Sequence, residues 1–170
     1  PAKAADWAMT LGDVSWDVYG SRVPYGAFFG EAGNMIKNRA KPALGKGMYR
    51  YFETEEKLAQ SLAACEQAGK LAAALNVPAI TAETQVVTGY VQMLDQLYRM
   101  GNFITRATPP TDAERMSLQR DLLAFAETGD RVKAGLNAWA EACLPGQRVG
   151  GRLNDTLDVT DTTVAAVSDS

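Results

Sequence analysis

TEEKLAQSLAACEQAGKLAAALNVP, residues 54–78, carries the strongest structural signal in the chain. Thr54 can cap a helix, Glu55 and Glu56 complement its positive end, and Leu58, Leu62, Cys65, Ala72 and Leu75 recur at the spacing of one helical face. The helix is expected to stop at Asn76 and Val77, because Pro78 lacks an N–H and disfavours helical geometry in the residue before it. Its alanine runs, Ala63-Ala64 and Ala72-Ala73-Ala74, let neighbours approach closely.

Moving toward the C-terminus, the next helix begins near Thr81. From Ala82 to about Asn102 the residues Val86, Val87, Tyr90, Val91, Leu94, Leu97 and Tyr98 form a stripe wide enough to face a core. The short connection makes these two helices antiparallel neighbours. Pro109 and Pro110 interrupt the chain, and Thr111 with Glu114 has the spacing of a capping box. The third helix carries Met116, Leu118, Leu122, Leu123 and Phe125. It either ends at Thr128 and Gly129 or passes through them, since one interior glycine costs only about 1 kcal/mol. Val132, Leu136, Trp139, Ala140 and Cys143 supply a further helical face that should end at Leu144, before Pro145 and Gly146. The fold class is therefore all-α, an antiparallel bundle of three to four helices over residues 54–145. No one helix is stable alone: ordering a residue costs about 1–2 kcal/mol of backbone entropy, and a buried Leu or Val returns roughly 1.5–3 kcal/mol.

The flanks differ in composition. Residues 1–53 hold nine of the 14 aromatic residues and seven of the 15 glycines without sustained periodicity, and read as an irregular arm with a short helix near Ala4 to Leu11. Residues 146–170 are rich in Thr, Asp, Val and Ser, with no basic residue after Arg152, and read as an extended acidic tail.

With 170 residues, 46% hydrophobic and 22% charged, and a formal net charge of -3, the chain is an ordinary globular protein whose bulk charge names no partner. No run approaches the roughly 18 apolar residues that a bilayer span requires. The chain has no histidine. That removes imidazole zinc sites, His-dependent serine triads and haem held by a proximal His, and no cofactor is expected. Cys65 and Cys143 are spaced wrongly for a CxxC motif but suit one long-range disulfide, worth at most about 4.5 kcal/mol by loop closure. The alternative is two reduced, buried thiols. A start at Pro1 rather than Met, with a disulfide, would favour export to a periplasm or lumen over the cytoplasm.

Lys37, Arg39, Lys41, Lys46 and Arg50 form a basic stretch beside Tyr49, Tyr51 and Phe52. Such a patch suits an anionic membrane surface, while nucleic acid is disfavoured because five charges are few on an acidic protein. The plainer alternative is a solvated loop balanced by Asp155, Asp158 and Asp161. Gly45-Lys46-Gly47 is not a phosphate loop, since residue 40 is Ala and no Ser or Thr follows Lys46. Glu55 with Glu56, and Asp112 with Glu114, stand in first helical turns where negative charge is favoured for structural reasons. No catalytic or metal-ligating group is expected.

Trp139 on a helical face reads as core. The aromatic residues of the arm, Trp7, Trp16, Tyr19, Tyr25, Phe28 and Phe29, must dock somewhere, either over the bundle or in another subunit. Leu11-Gly12-Asp13 with Ser15-Trp16 resembles the opening of some helical light-harvesting proteins of the chloroplast lumen, over a span too short to imply function. The expected function is a non-enzymatic accessory or linker subunit, its arm, with the basic stretch, and its acidic tail lying across neighbouring proteins in a larger, membrane-associated or soluble assembly. The alternative is a small-molecule or pigment-binding helical domain of an exported or lumenal compartment.

Overall fold

Among the described residues the chain is mostly helical, with six α-helices and no strand. The computed structural model describes residues 2–146 and 152–168, apart from the side chains of Ala27, Phe29, Ile36, Arg152 and Ser168. The helices are α1 (Ala2–Gly20), α2 (Ala27–Asn38), α3 (Glu55–Leu75), α4 (Pro78–Ile104), α5 (Asp112–Cys143) and α6 (Arg152–Ser168).

The middle of the chain follows its local signals. Thr54 Oγ1 accepts from the Lys57 N–H at 3.1 Å, and Asn76 closes α3 in the left-handed conformation. α4 starts at Pro78 rather than near Thr81, because a proline in the first helical turn loses no hydrogen bond and its φ is already helical. Both arms of the capping box form at α5: the Glu114 N–H donates to Thr111 Oγ1 at 3.3 Å and the Thr111 N–H to Glu114 Oε2 at 2.8 Å. Arg106 grips both oxygens of Glu114 at 2.7 and 2.8 Å. With the Thr111 donors it pulls that carboxyl down to about 2. A carboxylate lowered in this way supports the fold above its ordinary pKa and stops doing so as pH falls through about 2.

α5 passes straight through Gly129 for 32 residues. The glycine is a point of close approach: a Cβ there would overlap the Val164 side chain of α6, as one at Gly89 would overlap Val132 where α4 crosses α5.

The two flanks correct the sequence reading. The expected irregular arm contains α1 and α2, which bury Leu11, Val14 and Val18, and Phe28, Ala32 and Met35, respectively. Among the described side chains each buried stripe has three apolar residues, and such short stripes are held helical by packing rather than by propensity. The loop after α2 is pinned by buried Met48, Tyr49 and Phe52, and the Tyr49 hydroxyl donates to the Leu94 carbonyl at 2.9 Å. The expected extended tail is helical over 152–168, while residues 147–151 lie outside the described residues. α6 buries Thr156, Thr160, Thr163 and Val167, again a helical stripe. The Thr160 and Thr163 hydroxyls each donate at 2.8 Å to the carbonyl four residues back, which satisfies their polarity within the helix.

α4 is buried along most of its length and lies against α1, α2, α3 and α5, while α6 packs on α5 and α2. The hydrophobic core draws on residues from the N-terminal 53, the middle and the C-terminal stretch alike. Among the described residues no helix is long and apolar enough to cross a membrane.

The candidate disulfide is absent, and of the two reduced thiols only one is buried: Cys65 is buried, Cys143 is exposed, and both are free. Burial pushes the Cys65 thiol pKa up. Titration of the native protein with a disulfide-exchange reagent should therefore release one equivalent quickly, from Cys143, and the second only on unfolding. A chain with no reactive thiol before reduction would contradict this arrangement.

Candidate functional site: an aromatic cleft around Glu83

Where α1, α4, α5 and α6 meet, the core leaves a cleft of about 440 Å³ unfilled. α1 contributes Tyr19, and the turn of 3-10 helix at Val23–Tyr25 contributes Pro24 and Tyr25. Glu83, Val86 and Tyr90 come from α4, Leu136 and Trp139 from α5, and Leu153 and Thr156 from α6. A second cleft of about 360 Å³ lies along α1, lined by Trp7, Leu11 and Ile80 among others. It shares Glu83 and Trp139 with the first, so those two side chains stand where the clefts meet.

Helical periodicity sets this arrangement. Glu83, Val86 and Tyr90 recur at the 3.6-residue period, so the face of α4 that builds the core also presents one carboxylate to the cleft. Trp7 is oriented by its indole N–H, which donates to Thr84 Oγ1 at 2.8 Å. The Thr160 hydroxyl gives its proton to the Thr156 carbonyl, so in the 3.1 Å bond between Tyr90 and Thr160 the phenol is the donor.

Among the described residues Glu83 is the only charged side chain lining either cleft. It is half-buried, and among the described residues no Lys or Arg forms an ion pair with it. The Tyr19 hydroxyl donates to its Oε1 at 3.4 Å. Burial raises the Glu83 pKa, partly offset by that bond. The Tyr19 phenol is driven far above its ordinary value by burial first and by the neighbouring Glu83 charge second, and burial pushes Tyr90 up to about 12. The cleft thus presents aromatic rings, aliphatic side chains and a single carboxylate. Among the described residues no group of three His, Cys, Asp or Glu could hold a metal ion.

A larger depression, about 720 Å³, runs along α3 and α4. Its walls are mainly alanine, glycine, threonine and glutamine, for example Ala63, Gly69, Ala72, Thr81, Thr88 and Gln92. Such short side chains offer little contact area per ligand atom, so the aromatic cleft is the better candidate.

The residues singled out in the sequence are dispersed. Tyr19 and Tyr25 reach the first cleft and Trp7 the second. Phe28 is core, stacked on Phe125 at 6.0 Å between centroids, whereas Trp16 is 71% exposed. The side chain of Phe29 lies outside the described residues. Lys37, Arg39, Lys41, Lys46 and Arg50 are all exposed, on the end of α2 and the loop beyond it. Of the tail carboxylates, Asp161 pairs with Lys133. Glu55 accepts from the Tyr98 hydroxyl at 3.0 Å, and Glu114 serves its cap and Arg106, so both carboxylates have structural partners.

Three wall residues escaped the sequence reading. Tyr90 and Trp139 look like core from their faces alone, and Glu83 went unremarked. The available signal was a charge one turn before Val86 and Val87, inside an apolar stripe, where an ionisable group costs free energy unless it is paired.

Fold and cleft together define an all-helical domain with an aromatic-walled cavity around one carboxylate. Comparison with known proteins adds no relative: no family model matches the chain, and neither a curated protein nor a solved structure matches it significantly.

Proposed function

We propose that this chain is a non-enzymatic, small-molecule-binding helical domain whose ligand lies in the aromatic cleft, its apolar body against Tyr25, Tyr90, Leu136 and Trp139. The observation that carries this reading is the cleft itself. A volume of about 440 Å³ walled mainly by rings and aliphatic side chains, with a few hydroxyls and one carboxylate, has the make-up of a site for a drug-sized molecule. In this reading α3, α4 and α5 form an antiparallel framework, and α1 and α6 close the cleft from either side.

Two of the three tryptophans, Trp7 and Trp139, line the clefts, so intrinsic fluorescence reports on occupancy. The neutral dye N-phenyl-1-naphthylamine is expected to bind saturably, one per chain, quenching tryptophan emission. Trp139→Ala should weaken it by about tenfold, the loss of one large aromatic contact. Dye uptake that does not saturate, or that Trp139→Ala leaves unchanged, would refute the proposal.

A second reading, an accessory subunit that binds neighbouring proteins, draws on α1. Met9 and Trp16 are 79% and 71% exposed and seven residues apart, hence on one face of the helix. Native mass spectrometry of the protein from its source would test it: a stoichiometric complex lost on Trp16→Ala favours this reading, and a lone chain counts against it.

A further inference from the structure

We propose that the cleft around Glu83 takes an organic ammonium ion, a tertiary or quaternary amine on an apolar body. Its cationic head would sit between the Glu83 carboxylate and the rings of Tyr19, Tyr25, Tyr90 and Trp139. The inference rests on the small-molecule reading above and narrows it to one ligand chemistry.

The argument is one of complementarity. A half-buried carboxylate among aromatic walls is disfavoured unless a counter-charge meets it, and no cation of the described chain does so. The rings around it carry negative quadrupole faces, which attract cations, most strongly where water is excluded. Tyr19 and Tyr25 stand 6.5 Å apart between centroids, tilted by 40°, as two walls of one corner.

Other ligand classes fit less well. An anion would meet only the negative charge of Glu83. A bare metal ion would find one carboxylate where hard cations want six or more oxygens. A neutral hydrogen-bond donor would compete with the Tyr19 hydroxyl, which already donates to Glu83. A weakly hydrated organic cation uses the carboxylate and the rings together.

pH supplies an independent handle. A quaternary ammonium does not titrate, so any pH dependence of its binding belongs to the protein. The titratable groups facing Glu83 are Tyr19 from α1, Tyr25 from the turn and Tyr90 from α4, while α5 and α6 present Leu136, Trp139, Leu153 and Thr156. The raised phenols of Tyr19 and Tyr90 stay neutral in the acid range, so Glu83 alone among the charged groups is switched there. Because burial raises its pKa, affinity for the cation should fall as pH drops through a value above the ordinary carboxylate range.

The test pairs benzyltrimethylammonium with neopentylbenzene, which has the same shape and no charge, each competing against N-phenyl-1-naphthylamine. At pH 8 the cation is expected to bind about tenfold more tightly than its neutral counterpart. Glu83→Gln keeps the side-chain shape and an acceptor for Tyr19. It should erase both the preference and its pH dependence, with an unchanged circular dichroism spectrum. Tyr25→Ala removes a half-exposed ring at the cleft mouth and should cut the preference by about threefold. Equal binding of the neutral counterpart, failure of the cation to displace bound dye, or a preference that survives Glu83→Gln overturns the ammonium site while leaving the apolar-ligand reading intact. Failure of dye and both competitors to bind overturns both.

Discussion

Phe125→Ala is expected to lower the free energy of unfolding by about 3–5 kcal/mol, the range for deleting a fully buried phenylalanine. Phe125 is 0% exposed, in the middle of α5, and its ring lies nearly parallel to that of Phe28, at 8° between planes. Phe28 comes from α2, within the glycine-rich stretch whose composition reads as an arm. Phe28→Ala should therefore be similarly costly, and the double variant less costly than the sum by about 0.5–1.5 kcal/mol, the coupling of an aromatic pair. Urea denaturation of the four proteins measures this directly. A Phe28→Ala effect within about 0.5 kcal/mol, as for a surface substitution, would mean that α2 does not belong to the core.

A chain ending at Gly146, and so without α6, is expected to lose on the order of 5 kcal/mol. Val167 is buried, Leu153, Leu157 and Val164 pack against the core, and Thr156, Thr160 and Thr163 are buried beside them. A loss of that size is comparable with the whole stability of many domains. The truncated protein should show a broadened or absent thermal transition and bind hydrophobic dyes through the newly exposed faces of α5 and α2. An extended, solvated tail would instead be removable with little change in the midpoint.

Both expectations concern segments that hydropathy alone misjudges, and the reasons differ. In α6 the inward stripe is mostly threonine. Its hydroxyls are satisfied by carbonyls one turn back within the helix, so residues scored as polar can be buried at little cost. In α1 and α2 the buried stripes described are short and are interrupted by glycines and, in α1, by the outward-facing Trp16. Isolated helices of 19 and 12 residues with such sequences are marginal; α3 and α4 supply the surface that stabilises α1, and α6 with α4 that of α2.

Gly129 is a similar case. The sequence left open whether the helix stops there, because the cost of an interior glycine is small either way. What decides is Val164: α6 lies so close to α5 at this point that a Cβ on residue 129 would overlap it.

The candidate site divides along the same line. Tyr19, Tyr25 and Trp7 stood out as aromatic residues in need of a place to dock, and the structure puts them on the walls of two adjoining clefts. Glu83, Tyr90 and Trp139 complete that site from helices whose faces read simply as core.

From its sequence alone the middle of this protein is helical, with the start of α3 at Thr54 and its end at Asn76, the capping box at Thr111 and the stop at Leu144. Caps, prolines and one-face periodicity act within a few residues of themselves and need no partner. Tertiary structure decided that both flanks are helical, that the two thiols stay apart, and that an aromatic cleft forms around the Glu83 carboxylate. Each of these depends on which faces meet across the core, a matter of packing between residues far apart in the chain.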